Sequence, residues 1–231
     1  MTRMLASVTN AHEATTAIQA GVDLIDLKDP ASGALGALPL TEIQAVRSVV
    51  GGRHPISATI GDLPPAPAET ADAIAALRGM GIDYVKVGFF SAAHLDACLP
   101  VIADLSPTQA IVAVLFADTE TARADLEPFA KAGCAGVMLD TADKAAGRLC
   151  QHLDLATLGQ FVARAKSLGL MTGLAGSLRI TDIAALQRLG PSYLGFRGAL
   201  CHDGRRGRGL DPQRLRAVRQ SMLRHSLAEL T

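Results

Sequence analysis

Aromatic residues and net charge are both scarce in this sequence. Its 231 residues contain no Trp and only 3% aromatic residues, and its 22 basic residues are balanced by 22 acidic ones. A formal net charge of zero offers a nucleic acid or an anionic membrane no global electrostatic attraction. Few aromatic side chains are available to stack on bases. We therefore expect neither a nucleic-acid nor a membrane partner.

Cysteine pairs and long apolar runs are missing as well. The four cysteines, Cys98, Cys134, Cys150 and Cys201, are widely spaced and form no CxxC motif, which favours reduced thiols over a disulfide or zinc framework. No stretch approaches the ~20 uninterrupted apolar residues of a membrane span, and the first residues lack the pattern of a signal peptide. We expect a cytoplasmic protein, and the composition is compatible with a homo-oligomer without requiring one.

What the chain does contain is a short apolar run followed by an amphipathic segment, repeated eight times. Each run is nearly continuous in apolar character, as is typical of parallel strands covered on both faces. The eight runs are Met4–Thr9, Leu24–Lys28, Pro55–Ile60, Tyr84–Gly88, Ala110–Phe116, Gly136–Asp140, Met171–Gly176 and Tyr193–Gly198. The segments between them predict helices, among them Glu69–Met80, Leu155–Leu168 and Pro212–Ser226.

Helix ends carry matching signals. Asn10, Thr41 or one of its neighbours, and Asp211 stand where helices begin and are predicted N-caps. Glycine recurs where helices end, because it accepts the left-handed conformation. These glycines are Gly21, Gly81, Gly133 and Gly190. Strict βα alternation predicts one domain, residues 1–231, of the α/β class. Eight units favour a single closed (βα)8 TIM barrel over an open doubly wound sheet.

Ionisable residues stand at the ends of several otherwise apolar strands. They are Asp26 and Lys28 on the second strand, Lys86 on the fourth, Asp140 on the sixth with Lys144 four residues later, and Arg197 on the eighth. Period-2 geometry sends Asp26 and Lys28 to one face of their strand. If the aliphatic face meets the helices, both point into the upper barrel, where barrel enzymes have their active sites.

Lysines in such a place suggest amine chemistry. Burial and a neighbouring positive charge both disfavour the ammonium form of a lysine, and a neutral amine can attack a carbonyl to form a Schiff base. Asp26 and Asp140 could keep one lysine protonated while another stays neutral, which would separate a nucleophile from an acid or base. The competing interpretation is that these charges form structural ion pairs.

The last two strands carry a weaker signal for phosphate. Gly176-Ser177 follows the seventh strand and Arg197-Gly198-Ala199 the eighth, and in barrels this pair of loops commonly presents backbone N–H groups to a phosphate. We predict Gly176, Ser177, Arg197, Gly198 and Ala199 as phosphate-binding residues. The nearby run Arg205-Arg206-Gly207-Arg208 could add attraction for an anion, although such a run is usually a solvated face.

Other kinds of site lack support. His94 and Cys98 have i,i+4 spacing without further ligands nearby, so no metal is expected. The sequence contains neither a GxSxG elbow nor a GxGxxG or GxxxxGK[ST] motif, so no serine nucleophile, dinucleotide, nucleotide or other cofactor is indicated.

An ordered set of motifs resembles the (5-formylfuran-3-yl)methyl phosphate synthase family. The matching segments are Asp23–Pro30 with Gly33–Ala37, Ser57–Asp62, Asp83–Gly88, Met138–Ala142 with Lys144, Leu174–Ser177 and Gly195–Ala199. They run from the first strand to the eighth and together are far more specific than any one of them.

The resemblance implies a (βα)8 fold and a lyase that condenses two molecules of glyceraldehyde 3-phosphate, for the biosynthesis of methanofuran-type cofactors. The product is a phosphorylated hydroxymethyl-furaldehyde, and phosphate and water are released. The family pattern makes Lys28 the Schiff-base residue and Lys86 the proton acceptor. Asp26, Asp140 and Lys144 match further active-site positions, for proton transfer and for orienting the intermediate.

This sequence departs from the family pattern in two loops. Asp29 and Ala34 replace a more usual Asn and Ser, and the segment Ala117-Asp118-Thr119 is short, which bears on fine specificity more than on the type of reaction. Two other functions remain alternatives. One is a class I aldolase-like Schiff-base enzyme acting on another sugar phosphate, and the other is a non-catalytic phosphosugar-binding barrel.

Overall fold

The computed structural model describes residues 1–228, in which eight parallel strands close into a barrel in the order β1 to β8. The strands are β1 Arg3–Val8, β2 Leu24–Leu27, β3 Ile56–Thr59, β4 Tyr84–Phe89, β5 Ile111–Phe116, β6 Gly136–Asp140, β7 Met171–Leu174 and β8 Tyr193–Phe196. The predicted (βα)8 barrel is confirmed. The predicted domain, residues 1–231, includes 229–231, which lie outside the described residues, and its extent stays a prediction.

Helices follow every strand. They are α1 Ala11–Gln19, α2 Leu40–Val50, α3 Pro67–Gly79, α4 Ala92–Leu105, α5 Glu127–Lys131, α6 Leu149–His152, α7 Leu155–Ser167, α8 Ile183–Arg188 and α9 Pro212–Ala228. Short 3₁₀ turns lie at Glu120–Arg123, Ile180–Asp182, Gly198–Leu200 and His202–Gly204. Among the described residues, no helix is long and apolar enough to cross a membrane.

Two of the predicted N-caps are confirmed, and for the second helix the N-cap position falls on Pro39, near Thr41, without a side-chain cap. Asn10 accepts a hydrogen bond from the Glu13 N–H at 2.9 Å, and Asp211 accepts one from the Gln213 N–H at 2.8 Å. Thr41 is not a cap, because α2 already begins at Leu40, directly after Pro39. The Pro39 ring supplies a φ of −56° that suits the entry to a helix.

The apolar residues form two layers, as expected for a barrel. Ile25 and Leu27 face outward and pack with the helices, whereas Leu5, Val114 and Met138 fill the barrel interior. Tyr193 helps to close the bottom of the interior, and Gly173 makes room for it: a Cβ at position 173 would lie 2.4 Å from the Tyr193 ring. Above this layer, at the carboxyl ends of the strands, the interior holds Asp26, Lys86 and Asp140.

Strand register brings the polar residues of neighbouring strands to one level. Ser7 of β1 is opposite Asp26 of β2, and Asp26 is opposite Ser57 of β3. Because paired residues of parallel strands share a face, two hydroxyls flank one carboxylate inside the barrel. The next residue pair, Thr59 and Lys86, links β3 to β4 one level higher.

Candidate functional site

A cavity of about 810 Å³ opens at the carboxyl ends of the strands. It is lined by the predicted catalytic residues Asp26, Lys28, Lys86, Asp140 and Lys144, and by the predicted phosphate-binding residues Gly176, Ser177, Arg197, Gly198 and Ala199. All ten sequence-predicted site residues thus meet in one place. The loops that rim the cavity follow the strand ends, as barrel topology requires.

Asp26 holds Lys86 deep in the barrel. The Lys86 Nζ lies 2.7 Å from Asp26 Oδ1, and both residues are only 2% exposed. Ser57 Oγ donates to Oδ1 at 2.6 Å and Ser7 Oγ to Oδ2 at 2.7 Å, so both carboxylate oxygens are hydrogen-bonded. Burial alone would raise the pKa of Asp26, but the charges of Lys86 and Lys28 and the hydrogen bonds from Lys86 and Ser57 hold it below its usual value.

Asp140 is shared by two lysines. Lys28 Nζ lies 3.2 Å from Oδ2, and Lys144 donates to Oδ1. Lys144 also donates to the Thr141 carbonyl, and the Thr141 N–H donates to Asp140 Oδ1 at 2.8 Å. Burial raises the pKa of Asp140, but Lys144 and then Lys28 more than offset this, so the carboxylate stays ionised.

Asp140 carries one negative charge, so when Lys28 and Lys144 are both protonated one of their two positive charges has no counterion in this cluster. Burial lowers the pKa of Lys144, the Asp140 carboxylate raises it, and the Lys28 charge lowers it further; the net direction is downward. Like charges at close range favour the loss of one proton from such a pair. The Asp140 cluster can therefore supply a neutral amine, whereas the Asp26 pair is balanced in charge.

Two further carboxylates hold the loops that carry these residues. Asp118, after β5, accepts the N–H groups of Ala142 and Asp143 at 2.7 Å each, and so fixes the turn that leads to Lys144. Asp62, after β3, accepts those of Ala34 and Leu35 at 2.7 and 2.6 Å in the loop after Lys28. Neither role could be predicted from the sequence, because a hydrogen bond between loops leaves no periodic signal.

The loop after β7 has an unusual backbone. Gly176 has a φ of 106°, and Ser177 has a φ of 52°, a conformation that costs a non-glycine residue about 1–2 kcal/mol. Within residues 1–228, the backbone N–H groups of Gly176, Ser177, Gly198 and Ala199 have no hydrogen-bond partner. All four residues line the cavity, so these N–H groups are candidate anion donors.

Arg197 is committed to the protein itself. Its guanidinium pairs with Glu13, with Nη2 at 3.2 Å from Oε1, and donates to the carbonyls of Ser7 at 3.1 Å, Arg206 at 3.0 Å and Arg208 at 3.1 Å. These contacts use all five N–H donors of a guanidinium. Arg197 therefore braces the loop after β8, and its side chain has no donor left for a ligand.

Cations dominate the lining of the cavity. Eight lysine or arginine side chains and three aspartates line it, in a chain whose net charge is zero. Of the basic run after β8, only Arg206 lines the cavity, where it is half-buried. From the sequence, the whole run is typical of a solvated face. The fold of the loop turns the Arg206 side chain into the cavity and leaves Arg205 and Arg208 exposed.

The two substitutions in the loop after Lys28 have local structural roles. Asp29 accepts hydrogen bonds from Ser32 Oγ and from the Ala31 N–H at 2.9 Å, and so stabilises its own turn. Ala34 is buried beside the apolar side chains at the top of the barrel interior. Across the described residues, no group of three or more His, Cys, Asp or Glu side chains is placed to hold a metal ion.

Solved structures with a similar fold are distant in sequence. Phosphoribosyl anthranilate isomerase from Thermus thermophilus superposes with a TM-score of 0.70 and 15% identity, covering 99% of this chain and 100% of that one. KGPDC from Streptococcus mutans gives a TM-score of 0.66 and 15% identity, covering 96% and 98% of the two chains. Fold and site together define the class, a (βα)8 barrel with lysine–carboxylate clusters at the carboxyl ends of its strands.

The family follows from sequence similarity. Residues 4–219 match the family model described as 4-HFC-P synthase. A Methanopyrus kandleri protein named (5-formylfuran-3-yl)methyl phosphate synthase is 35% identical over 240 residues, 98% of each chain. A Methylorubrum extorquens relative, which bears that name provisionally, is 42% identical over 220 residues, 95% of this chain and 91% of its own. The chain belongs to the 4-HFC-P synthase family, and the resemblance of its motifs to that family is confirmed.

Proposed function

We propose that this protein is a lyase that condenses two molecules of glyceraldehyde 3-phosphate into (5-formylfuran-3-yl)methyl phosphate, with release of phosphate and water, for methanofuran-type cofactor biosynthesis. The observation that carries the proposal is the sharing of the Asp140 carboxylate by Lys28 and Lys144 in a cationic cavity. Family membership supports the product.

Lys28 is the proposed nucleophile. Its amine attacks the aldehyde carbon of one triose phosphate and forms a Schiff base with loss of water. One carboxylate serves both amines, and burial lowers the pKa of Lys144, so neutral Lys144 can accept the proton that Lys28 loses before it attacks. Asp140 keeps both side chains oriented throughout.

Lys86 is the proposed proton acceptor. The Lys86 ammonium ion gives a proton to the hydroxyl that leaves as water when the Schiff base forms, and Lys86 is then neutral. The iminium acidifies the adjacent C–H, and neutral Lys86 removes that proton. The Asp26 carboxylate at 2.7 Å stabilises the ammonium ion that Lys86 then becomes, and Ser7 and Ser57 hold Asp26 in place. The enamine expels phosphate, which leaves an enol conjugated with the iminium. The enol carbon adds to the aldehyde of the second triose phosphate, and cyclisation with loss of water and hydrolysis of the Schiff base forms the furan.

The retained phosphate is assigned to the turns after β7 and β8. The N–H groups of Gly176, Ser177, Gly198 and Ala199 are proposed to bind it, as backbone donors bind phosphate in other barrels. Arg197 takes part through the loop that it braces. Two phosphorylated substrates bring several negative charges into the cavity, which matches its excess of cationic side chains.

Product analysis tests this function. Purified enzyme is incubated with glyceraldehyde 3-phosphate, and the near-ultraviolet absorbance of a furan is followed together with released inorganic phosphate. We expect both to rise in parallel, and both to disappear in Lys86→Ala. A non-absorbing aldol product without phosphate release would instead support the alternative, a class I aldolase-like enzyme that uses the same lysine. Absence of any turnover would support a non-catalytic barrel.

A further inference from the structure

Among the described residues, Arg206 is a cavity arginine that is half-buried and yet has no counterion. Arg148 pairs with Asp182 at 3.1 Å, Arg197 with Glu13, and Arg214 with Asp211 at 3.9 Å. Arg179 is exposed on the rim. Within residues 1–228, no carboxylate lies within salt-bridge distance of Arg206, and its guanidinium makes one hydrogen bond, from Nη2 to the Gly33 carbonyl at 3.0 Å.

The guanidinium spans the mouth of the cavity. The backbone of Arg206 lies beside Gly198: a Cβ added to Gly198 would be 4.0 Å from the Arg206 Cβ. From there the side chain extends until its Nη2 donates to the Gly33 carbonyl, in the loop that follows Lys28. Burial lowers the pKa of Arg206, and the Asp140 charge acts on it in the opposite direction. The guanidinium thus lies on the Lys28 side of the cavity. The length of the Arg206 side chain separates it from the unpaired N–H groups of Gly198 and Ala199.

Arg206 is half-buried, has unused N–H donors and feels the charges of Asp140, Asp62 and Asp29 only from beyond salt-bridge distance. Such a guanidinium is well suited to an anion, because Arg matches the geometry of a phosphate and binds it through two N–H groups. The unpaired N–H groups after β7 and β8 form one anion position, and Arg206 forms another. We infer that Arg206 binds the phosphate of the triose phosphate carried on Lys28, which is the phosphate that leaves. This inference rests on the proposed function.

Arg206 would then promote the elimination. After Lys86 takes the proton, the enamine electrons restore the iminium and form a carbon–carbon double bond, while the C–O bond to phosphate breaks. The electron pair of that bond leaves with the phosphate, and the guanidinium stabilises its negative charge. Arg206 acts on the leaving group, whereas Lys28 and Lys86 act on the carbon chain.

The first test measures binding without turnover, by calorimetric titration with inorganic phosphate at fixed ionic strength. We expect two phosphate positions in the wild type, one in Arg206→Gln, and two in Arg179→Gln, which removes a rim arginine. A wild type with one position, or an Arg206→Gln variant that keeps both, overturns the inference. Because no reaction is needed, this result stands whether or not the protein makes a furan.

The second test follows the chemistry. Glyceraldehyde 3-phosphate is trapped on the enzyme with borohydride, and the Lys28 adduct is weighed by mass spectrometry. In Arg206→Gln we expect the adduct to keep its phosphate and phosphate release to slow by about 10- to 100-fold, with partial recovery in Arg206→Lys. Phosphate release at the wild-type rate in Arg206→Gln contradicts the inference, whereas a missing adduct in the wild type contradicts the proposed function itself.

Discussion

Lys86 Nζ lies 2.7 Å from Asp26 Oδ1, and neither side chain is more than 3% exposed. A buried pair of this kind is costly to break from one side, because the remaining charge has no partner. The same contact also has a chemical consequence in our account, since Asp26 stabilises the ammonium form of the proton acceptor. Stability and activity can therefore be separated by experiment.

We expect Asp26→Asn to lower the free energy of unfolding by about 3 kcal/mol, because it leaves the Lys86 charge buried and unpaired. Adding Lys86→Met should restore most of this loss, while furan formation stays absent. Denaturant unfolding and the product assay measure the two effects. A double variant no more stable than Asp26→Asn would show that the pair does not account for the loss.

Lys144 depends on Asp118 for its position, since Asp118 holds the N–H groups of Ala142 and Asp143. We expect Asp118→Ala to lower kcat about 10-fold with little change in KM, because the turn loosens without losing a substrate contact. In a Lys144→Ala background, Asp118→Ala should have no further effect on kcat. Steady-state kinetics of the wild type, the two single variants and the double variant test this. Additive losses in log kcat would mean that Asp118 does not act through Lys144.

The barrel interior has no room for a side chain on Gly173. A Cβ there would lie 2.4 Å from the Tyr193 ring, so we expect Gly173→Ala to destabilise the protein by about 1–3 kcal/mol. Gly79, near the end of α3, has nothing within 4 Å of its Cβ position, and Gly79→Ala should stabilise by about 0.4–1 kcal/mol. Thermal unfolding of both variants tests this: we expect Tm to fall in Gly173→Ala and to rise in Gly79→Ala.

His94 introduces a pH dependence away from the site. It is 2% exposed, its Nε2 has no hydrogen-bond partner, and it packs against the rings of Phe89 and Phe90. Burial lowers its pKa from 6.5, so the neutral form is favoured in the folded protein. The unfolded state then binds more protons below pH 6.5, and stability contributed by neutral His94 is present above that pH and falls as the pH decreases.

The comparison with His94→Phe isolates this effect. Between pH 6.5 and the lowered pKa, we expect the unfolding free energy of the wild type to fall relative to the variant by up to about 1.4 kcal/mol per pH unit. The difference should be constant above pH 7.5. A difference that does not change with pH would show that His94 does not titrate on unfolding.

The barrel and most of its site could be predicted from sequence because both leave local patterns. Apolar runs mark the strands, and a charge at the end of such a run, as at Lys28 or Asp140, stands out from its neighbours. Register could not be predicted, so the Ser7 and Ser57 hydroxyls beside Asp26 were missed. The partners of Arg197 were missed for a similar reason, because Glu13 is 184 residues away in the chain.

The covalent role of Lys28 is the central claim, and adduct mapping tests it most directly. Enzyme incubated with glyceraldehyde 3-phosphate is reduced with borohydride, digested and analysed by mass spectrometry, with Lys28→Ala and Lys144→Ala in parallel. We predict a reduced adduct on Lys28 in the wild type and in Lys144→Ala, and none in Lys28→Ala. An adduct on Lys144 or Lys86, or an unchanged adduct in Lys28→Ala, would contradict the account.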